Sequence, residues 1–393
     1  MSRNYDAVIV GAGVMGTSIA FHLAERGLRP VILERRQVGF GATGSSSGLV
    51  RMHYDLEVES RLAWLSFQYF RDWHKRVGGE CGFTRTGFLH IEPPEHFDQL
   101  RGNVEMHQRI GIPTSVITGG EVKKIAPSFY TDDIEFAAYE PESGYADATL
   151  TANSFLAAAK SMGAEFQQDC EVNGLKISGD KITGVSTPLG EFNSNLVINA
   201  AGAWAGRINE MAGVTIPLDT WTHDVVHMRK PDKVGNHPTV IDSSLSMYFR
   251  PDSGNLLLVA LEDDSRLGES PDAEHKYVAR GFVDRAVERI CRRIPAMENG
   301  SLHSSHVGRD GLTPDQRAAI GQVGPHGYYL ASGFSGTGFK ISPAVGQCVS
   351  ELILDGKSKS VDISCLDPMR FERGEHLKGM YDYGFIWRNN LPS

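Results

Sequence analysis

Three glycine-rich stretches of this sequence place bare backbone where chemistry can use it. In Gly11-Ala12-Gly13-Val14-Met15-Gly16 the first glycine lets the chain turn, the second has no Cβ to hold off a pyrophosphate, and the third lets a helix lie against a strand. The helix N-terminus beyond it faces the phosphates. Glu34, eighteen residues past the last of these glycines, stands where a carboxylate accepts the hydroxyls of an adenosine ribose, with Arg35 beside it. An acid there disfavours a 2′-phosphate, which selects FAD or NAD over NADP. In Asn199-Ala200-Ala201-Gly202-Ala203-Trp204, small residues follow the apolar run Leu196-Val197-Ile198 and let the backbone lie against a ligand. Gly333-Phe334-Ser335-Gly336-Thr337-Gly338-Phe339-Lys340 is a second strand-to-helix turn, aiming N–H groups and a positive helix end at something electron-rich. That suits the pyrimidine edge of a flavin.

The elements that must carry these turns are legible in the flanking residues. The apolar run from Ala7 to Val10 predicts a strand, the segment from about Met15 to Arg26 an amphipathic helix, and Val31-Ile32-Leu33 the next strand. A further helix is expected to begin near Ser342-Pro343. Strong α/β signals run to about Val77, return from Gly144 to Gly213, and appear again from Ala318 to Gly356. Between them lie alternating runs such as Phe88-Leu89-His90-Ile91 and Met247-Tyr248-Phe249-Arg250, which read as antiparallel strands, and a helix expected over 273–293. The fold class is therefore α/β: a discontinuous Rossmann-like nucleotide domain (1–82, 144–215, 308–373) with an antiparallel-sheet α+β substrate domain inserted as 83–143 and 216–307, and a tail from 374.

Composition excludes several classes. At 393 residues the chain exceeds one ordinary hydrophobic core. Its 41% hydrophobic content comes in short runs, so no membrane span is expected, and a net charge of −9 gives nucleic acid no purchase. The five cysteines, Cys81, Cys170, Cys291, Cys348 and Cys365, are scattered without a CxxC pair, so neither a disulfide framework nor a metal site is expected. The first strand follows the N-terminus closely, which leads to an expectation of a cytoplasmic protein.

These motifs, with Thr313-Pro314-Asp315 before Ile320-Gly321, resemble the D-amino-acid oxidase superfamily of FAD-dependent enzymes over residues 5 to about 373. The likeness is greatest to its sarcosine oxidase branch, both the monomeric enzymes and the β-subunit of the heterotetrameric ones. The resemblance implies bound FAD, an antiparallel sheet roofing the isoalloxazine, and oxidation of a small amino acid or N-methyl amino acid to an imine, with electrons passed to O2. It further implies that Lys340 sits over the flavin as a fixed charge promoting the oxygen reaction, that Arg51 in Gly48-Leu49-Val50-Arg51-Met52-His53-Tyr54 holds the substrate carboxylate, and that Tyr248 lines the substrate pocket. Around the cofactor it implies Thr43, Ser45, Ser46 and Val172 beside the turn residues Gly11, Gly13, Val14, Met15, Gly16, Glu34, Arg35, Ala201, Gly202, Trp204, Gly333, Gly336, Thr337, Gly338 and Lys340.

The sequence also departs from that branch. The cysteine that attaches FAD in the monomeric enzymes, five residues before Thr-Pro-Asp, is Gly308 here, so FAD is expected to be non-covalent unless another residue, such as a histidine, holds it. An active-site histidine expected after the Tyr248 strand falls near Leu261 and is missing, which puts sarcosine itself in doubt. Arg309, Asp310 and His223 are pocket candidates, whereas His227, alternating with apolar neighbours, reads as structural. Three readings stay open beside the oxidase: an amino-acid dehydrogenase subunit passing electrons to a partner, a 2-hydroxy-acid dehydrogenase, and a flavin-binding subunit without turnover. The aromatic tail, with Tyr381, Tyr383, Phe385 and Trp387, is expected to cover the protein's own surface, with contact to another subunit as the alternative.

Overall fold

A computed structural model of the protein describes residues 3–384. Its first layer is a six-stranded sheet in the order Glu165–Gln167, Pro30–Leu33, Ala7–Val10, Val197–Asn199, Tyr328–Ser332, Ala319–Gln322. All neighbours are parallel except the last pair. Ala7–Val10 and Pro30–Leu33 are buried at every residue, as parallel strands covered on both faces must be. The helices Val14–Glu25, Ala148–Ser161 and Gly338–Asp355 pack together on one face. The first helix approaches its strand so closely that a Cβ on Gly16 would lie 2.0 Å from the Gly11 carbonyl oxygen, which restricts that position to glycine.

The second layer is an eight-stranded sheet in the order Ser301–Leu312, Asp219–Arg229, Leu256–Leu267, Met247–Asp252, Thr239–Asp242, Phe88–Ile91, Phe136–Glu140, Ser115–Thr118. It is antiparallel except where Thr239–Asp242 lies parallel to Phe88–Ile91, the junction between the two stretches that interrupt the α/β pattern. Alternation separates its faces. Leu89, Val240, Met247, Phe249 and Val259 pack into a core with Phe282, Ala286 and Ile290 of the helix Phe282–Arg293. The opposite face carries a cross-strand row in which His90 pairs with Ile241, Ile241 with Tyr248, Tyr248 with Ala260, and Ala260 with Val225.

Two helix boundaries differ from expectation. The segment 273–281 stays non-helical, and the helix begins at Phe282 after Gly281, whose φ of +77° no helix continues through. The helix expected near Ser342-Pro343 starts earlier, at Gly338, with Pro343 inside it. Its neighbours supply replacements: the Phe339 carbonyl accepts the Ser342 hydroxyl at 2.8 Å, and the Ala344 N–H donates to Ser66 Oγ at 3.0 Å. Lys340 therefore belongs to a helical first turn. Among the described residues no helix is long and apolar enough to cross a membrane.

A short antiparallel sheet sets the chain between the layers. Leu49–Val50 pairs with Gly144–Tyr145, and Gly48, at φ +68°, brings its backbone so near Ala146 that a Cβ would meet the Ala146 oxygen at 2.2 Å. Arg51 leaves this strand into the gap between the two large sheets, its neighbour Met52 donating its N–H to Glu140 at 2.9 Å.

Candidate active site

A cleft of about 350 Å³ runs between the layers, within the size range of small-molecule sites, and residues from all three glycine turns line it. At one end lie the N-termini of two helices. Neither Gly13 nor Thr337, the residues preceding them, makes a side-chain cap, and neither first turn carries an acid. Their positive ends and N–H groups face the same space, a cradle for a dianionic pyrophosphate and for an electron-rich ring. Glu34 Oε2 accepts the Ala12 N–H at 2.9 Å and Oε1 accepts that of Arg36 at 2.8 Å, fixing the carboxylate at the mouth. Arg35 stacks 4.4 Å over the Trp204 ring. Asp272 clamps this wall by accepting from Arg35 at 2.7 Å and Trp204 Nε1 at 2.8 Å, bonds that hold its carboxyl well below the usual range. The donor set fits FAD: a ribose acceptor, two helix ends and a small-residue floor.

The cleft is lined by Gly11, Gly13, Val14, Met15, Glu34, Arg35, Thr43, Ser46, Val172, Ala201, Gly202, Trp204, Gly336, Thr337, Gly338 and Lys340. Three residues expected beside the cofactor stand behind it. Gly16 is spent on the strand contact, a Cβ on Gly333 would strike Thr313 Cγ2 at 2.4 Å, and Ser45 offers its carbonyl to His306 at 3.3 Å. Asp310 reaches the cleft and grips the glycine turn, accepting from the N–H groups of Gly336 at 2.7 Å and Gly311 at 2.8 Å. His223 also lines the cleft, its imidazole pushed down to about 4 by burial and then by His306. Arg309 turns away to the Ala273 carbonyl, and His227 stacks 5.5 Å from His306 beside Asp252.

Beyond the second helix end, the walls bear charge of both signs. Arg51 donates to the His53 carbonyl and lies 4.3 Å over the Tyr54 ring, while its buried Nε has no partner. Tyr248, on the roof, accepts from Ser47 Oγ at 3.2 Å, and burial raises its phenol. Lys340 is 7% exposed and donates to the Gly336 carbonyl at 3.1 Å. Burial, and then Arg51, push the Lys340 ammonium well below its ordinary range, against Glu59 and Asp310.

Among the cleft residues outside the expected set are His53, His90, Glu262 and Tyr383. Tyr383 belongs to the tail, packs against Leu100, Val104, Phe136 and Ala138, and meets His53 Nε2 at 2.7 Å. Tyr381 lies against Gly102 and accepts from Asn103 Nδ2 at 2.9 Å through its carbonyl, so both tyrosines cover their own chain; Phe385 and Trp387 lie outside the described residues. The signal for Tyr383 was the density of aromatics near the end of the chain, which marks burial without saying against what. His53, His107 and Glu140 offer buried ligand atoms within 4.8 Å of one another. The His53 and His107 rings pack edge to face at 4.6 Å, and the cation acting on all three groups is Arg51.

A βαβ turn, a second glycine-rich helix end and a sheet roofing the cleft between them define a dinucleotide-cofactor oxidoreductase. The chain belongs to the FAD-dependent oxidoreductase (DAO) family, whose pattern it matches over residues 6–352. It is 27% identical to human mitochondrial sarcosine dehydrogenase over 383 residues, covering 93% of this chain and 41% of that protein. To glycine oxidase of Geobacillus kaustophilus it is 26% identical over 376 residues, covering 93% and 96% respectively. Among solved structures, L-proline dehydrogenase of P. horikoshii superposes with a TM-score of 0.90 at 30% identity, covering 96% of this chain and all of that one. The expected family and fold class are thus borne out, although the chain spans less than half the length of the sarcosine dehydrogenase.

Proposed function

We propose that this protein oxidises the C–N bond of a small amino acid or secondary amino acid to an imine. The observation that carries this reading is that Arg51 and Tyr248 line the same cleft as the helix end that suits a flavin ring. A guanidinium with unspent donors matches a carboxylate, and Tyr248 with Ile241 closes the opposite side and excludes water. FAD, when bound, supplies the acceptor for two electrons and the Cα hydrogen. The residues supply orientation: Arg51 holds one end of the substrate, and the roof presses the other toward the cofactor. Sarcosine, glycine and proline, named for the relatives above, share a carboxylate next to the carbon bonded to nitrogen.

Non-covalent FAD is part of the proposal. Gly308 offers no sulfur, and a Cβ there would already meet His223 Nε2 at 2.8 Å. Acid precipitation is expected to release all flavin into the supernatant; flavin retained on the precipitated chain would refute this part.

The test of the function is anaerobic bleaching of the bound flavin near about 450 nm, with sarcosine, proline, glycine, dimethylglycine and 2-hydroxy acids as the panel. At least one amine is expected to bleach it while the hydroxy acids do not. Bleaching by hydroxy acids alone, or by nothing, would sink the amine reading. The acceptor is read from the same experiment: fast recovery of colour on admitting air marks transfer to O2, and slow recovery marks transfer to a partner.

A further inference from the structure

The substrate end of the cleft contains a carboxyl group to which nothing so far assigns a role. Glu262 lies on the strand Leu256–Leu267, two residues beyond Ala260 and hence on the same face as Ala260 and Tyr248. Its backbone is pinned by the N–H bond to Ser246 at 2.9 Å, and it lines the cleft with Arg51, Tyr248 and Lys340. Neighbouring acids are committed. Glu92 accepts from Ser243 Oγ at 2.8 Å and pairs with His90 at 2.6 Å and His96 at 2.7 Å; Asp242 pairs with Arg293 at 2.7 Å; Asp263 pairs with Arg289 at 2.7 Å. Among the described residues no hydrogen bond or ion pair engages the half-buried Glu262 carboxyl.

We propose that Glu262 is the group that receives the substrate's amine, so that a zwitterion is gripped by its carboxylate on Arg51 and by its nitrogen on Glu262. The proposal rests on the amine-oxidising reading above. It also adds a proton step. The Glu262 carboxylate takes one proton from the substrate ammonium: an N–H bond breaks, an O–H bond forms, and the nitrogen keeps its electron pair. That free pair is what departure of the Cα hydrogen with its electrons would need once FAD supplies the acceptor. Nothing is oxidised or reduced at Glu262 itself.

The surroundings suit a base. Burial first, then Glu92, Asp242 and Asp263, raise the Glu262 carboxyl to about 8, with Arg51 opposing; Tyr248 faces it as a phenol raised by its own burial. Activity carried by its ionised form rises with pH through that value.

Matched probes test the assignment. Sarcosine and L-proline carry the amine; methoxyacetate and tetrahydro-2-furoate replace its nitrogen with oxygen and keep the carboxylate. Binding to the FAD-loaded protein is measured anaerobically by flavin spectral perturbation at pH 8.5, for wild type, E262Q and E262D. Wild type is expected to favour amines over ethers, E262Q to lose at least about thirtyfold of that preference with ether binding unchanged, and E262D to keep most of it. The limb near pH 8 in kcat/KM should vanish in E262Q. An amine-to-ether ratio within twofold of wild type in an E262Q protein that binds the ethers normally overturns the assignment. Wild-type binding of the ethers with neither amine bound removes the amine reading, and this inference with it.

Discussion

Replacing Arg51 by methionine is expected to lower kcat/KM for the bleaching amine by between about thirtyfold and a few thousandfold. The range follows from removing one partner of a desolvated carboxylate–guanidinium pair, roughly 2–5 kcal/mol. Methionine keeps an apolar stem of similar length, while the guanidinium that lies over the Tyr54 ring is lost with its charge. Arg51→Lys should recover only part of the activity, because an ammonium cannot present the planar fork that a carboxylate meets with two bonds. Arg51→Met also removes the charge that helps hold Lys340 down, so the lysine should become easier to protonate. Stopped-flow flavin reduction across substrate concentration checks both points. A loss below tenfold in a fully FAD-loaded variant would show that another group binds the carboxylate.

The second large effect is on stability. Arg370, 1% exposed, donates to Asp315 at 2.9 and 3.0 Å, to the Leu366 carbonyl at 3.0 Å and to the Arg317 carbonyl at 2.8 Å. Asp315 in turn accepts from the Thr313 hydroxyl at 3.2 Å, the Arg317 N–H at 3.1 Å and the Leu377 N–H at 3.1 Å. Arg317 itself carries Asp55 at 2.7 Å and Glu59 on the floor of the cleft. Arg370→Met leaves the Asp315 charge buried without its counter-ion, an expected cost of about 3–5 kcal/mol. Adding Asp315→Leu should restore much of it, since the orphaned charge rather than the missing bond dominates. Denaturation midpoints at fixed FAD concentration measure this. A single variant as stable as wild type would mean that Asp315 finds water or another donor.

What could be read from residues alone divides along a physical line. The Gly11–Glu34 unit was legible because its spacing is imposed by covalent geometry within one turn, one helix and one strand. The three glycine turns were each recognisable, and their meeting in one cleft follows from parallel strands that all end on the same side. Glu262 was not legible, because alternation distinguishes two faces of a strand without saying which faces the ligand; that depends on the pairing of Tyr248 with Ala260. Leu261, where the branch's histidine is expected, packs in an apolar cluster, and the neighbouring Glu262 is the ionisable group that reaches the cleft. Thr313-Pro314-Asp315 was readable as a signature but not as the clamp on Arg370, whose partner lies 55 residues away. The burial of Lys340 was not legible either, because it depends on what the fold packs around that helix end.

The placement of Tyr383 has a consequence for how the protein is made. The wall of the cleft runs from Val10 to Tyr383, so it draws on residues far apart along the chain. A nascent chain can complete its βαβ unit early, yet it cannot enclose the cleft until residue 383 has emerged from the ribosome. Tight loading of FAD is thereby deferred until Tyr383 is in place, and chains interrupted before it are left with an open, poorly loaded site.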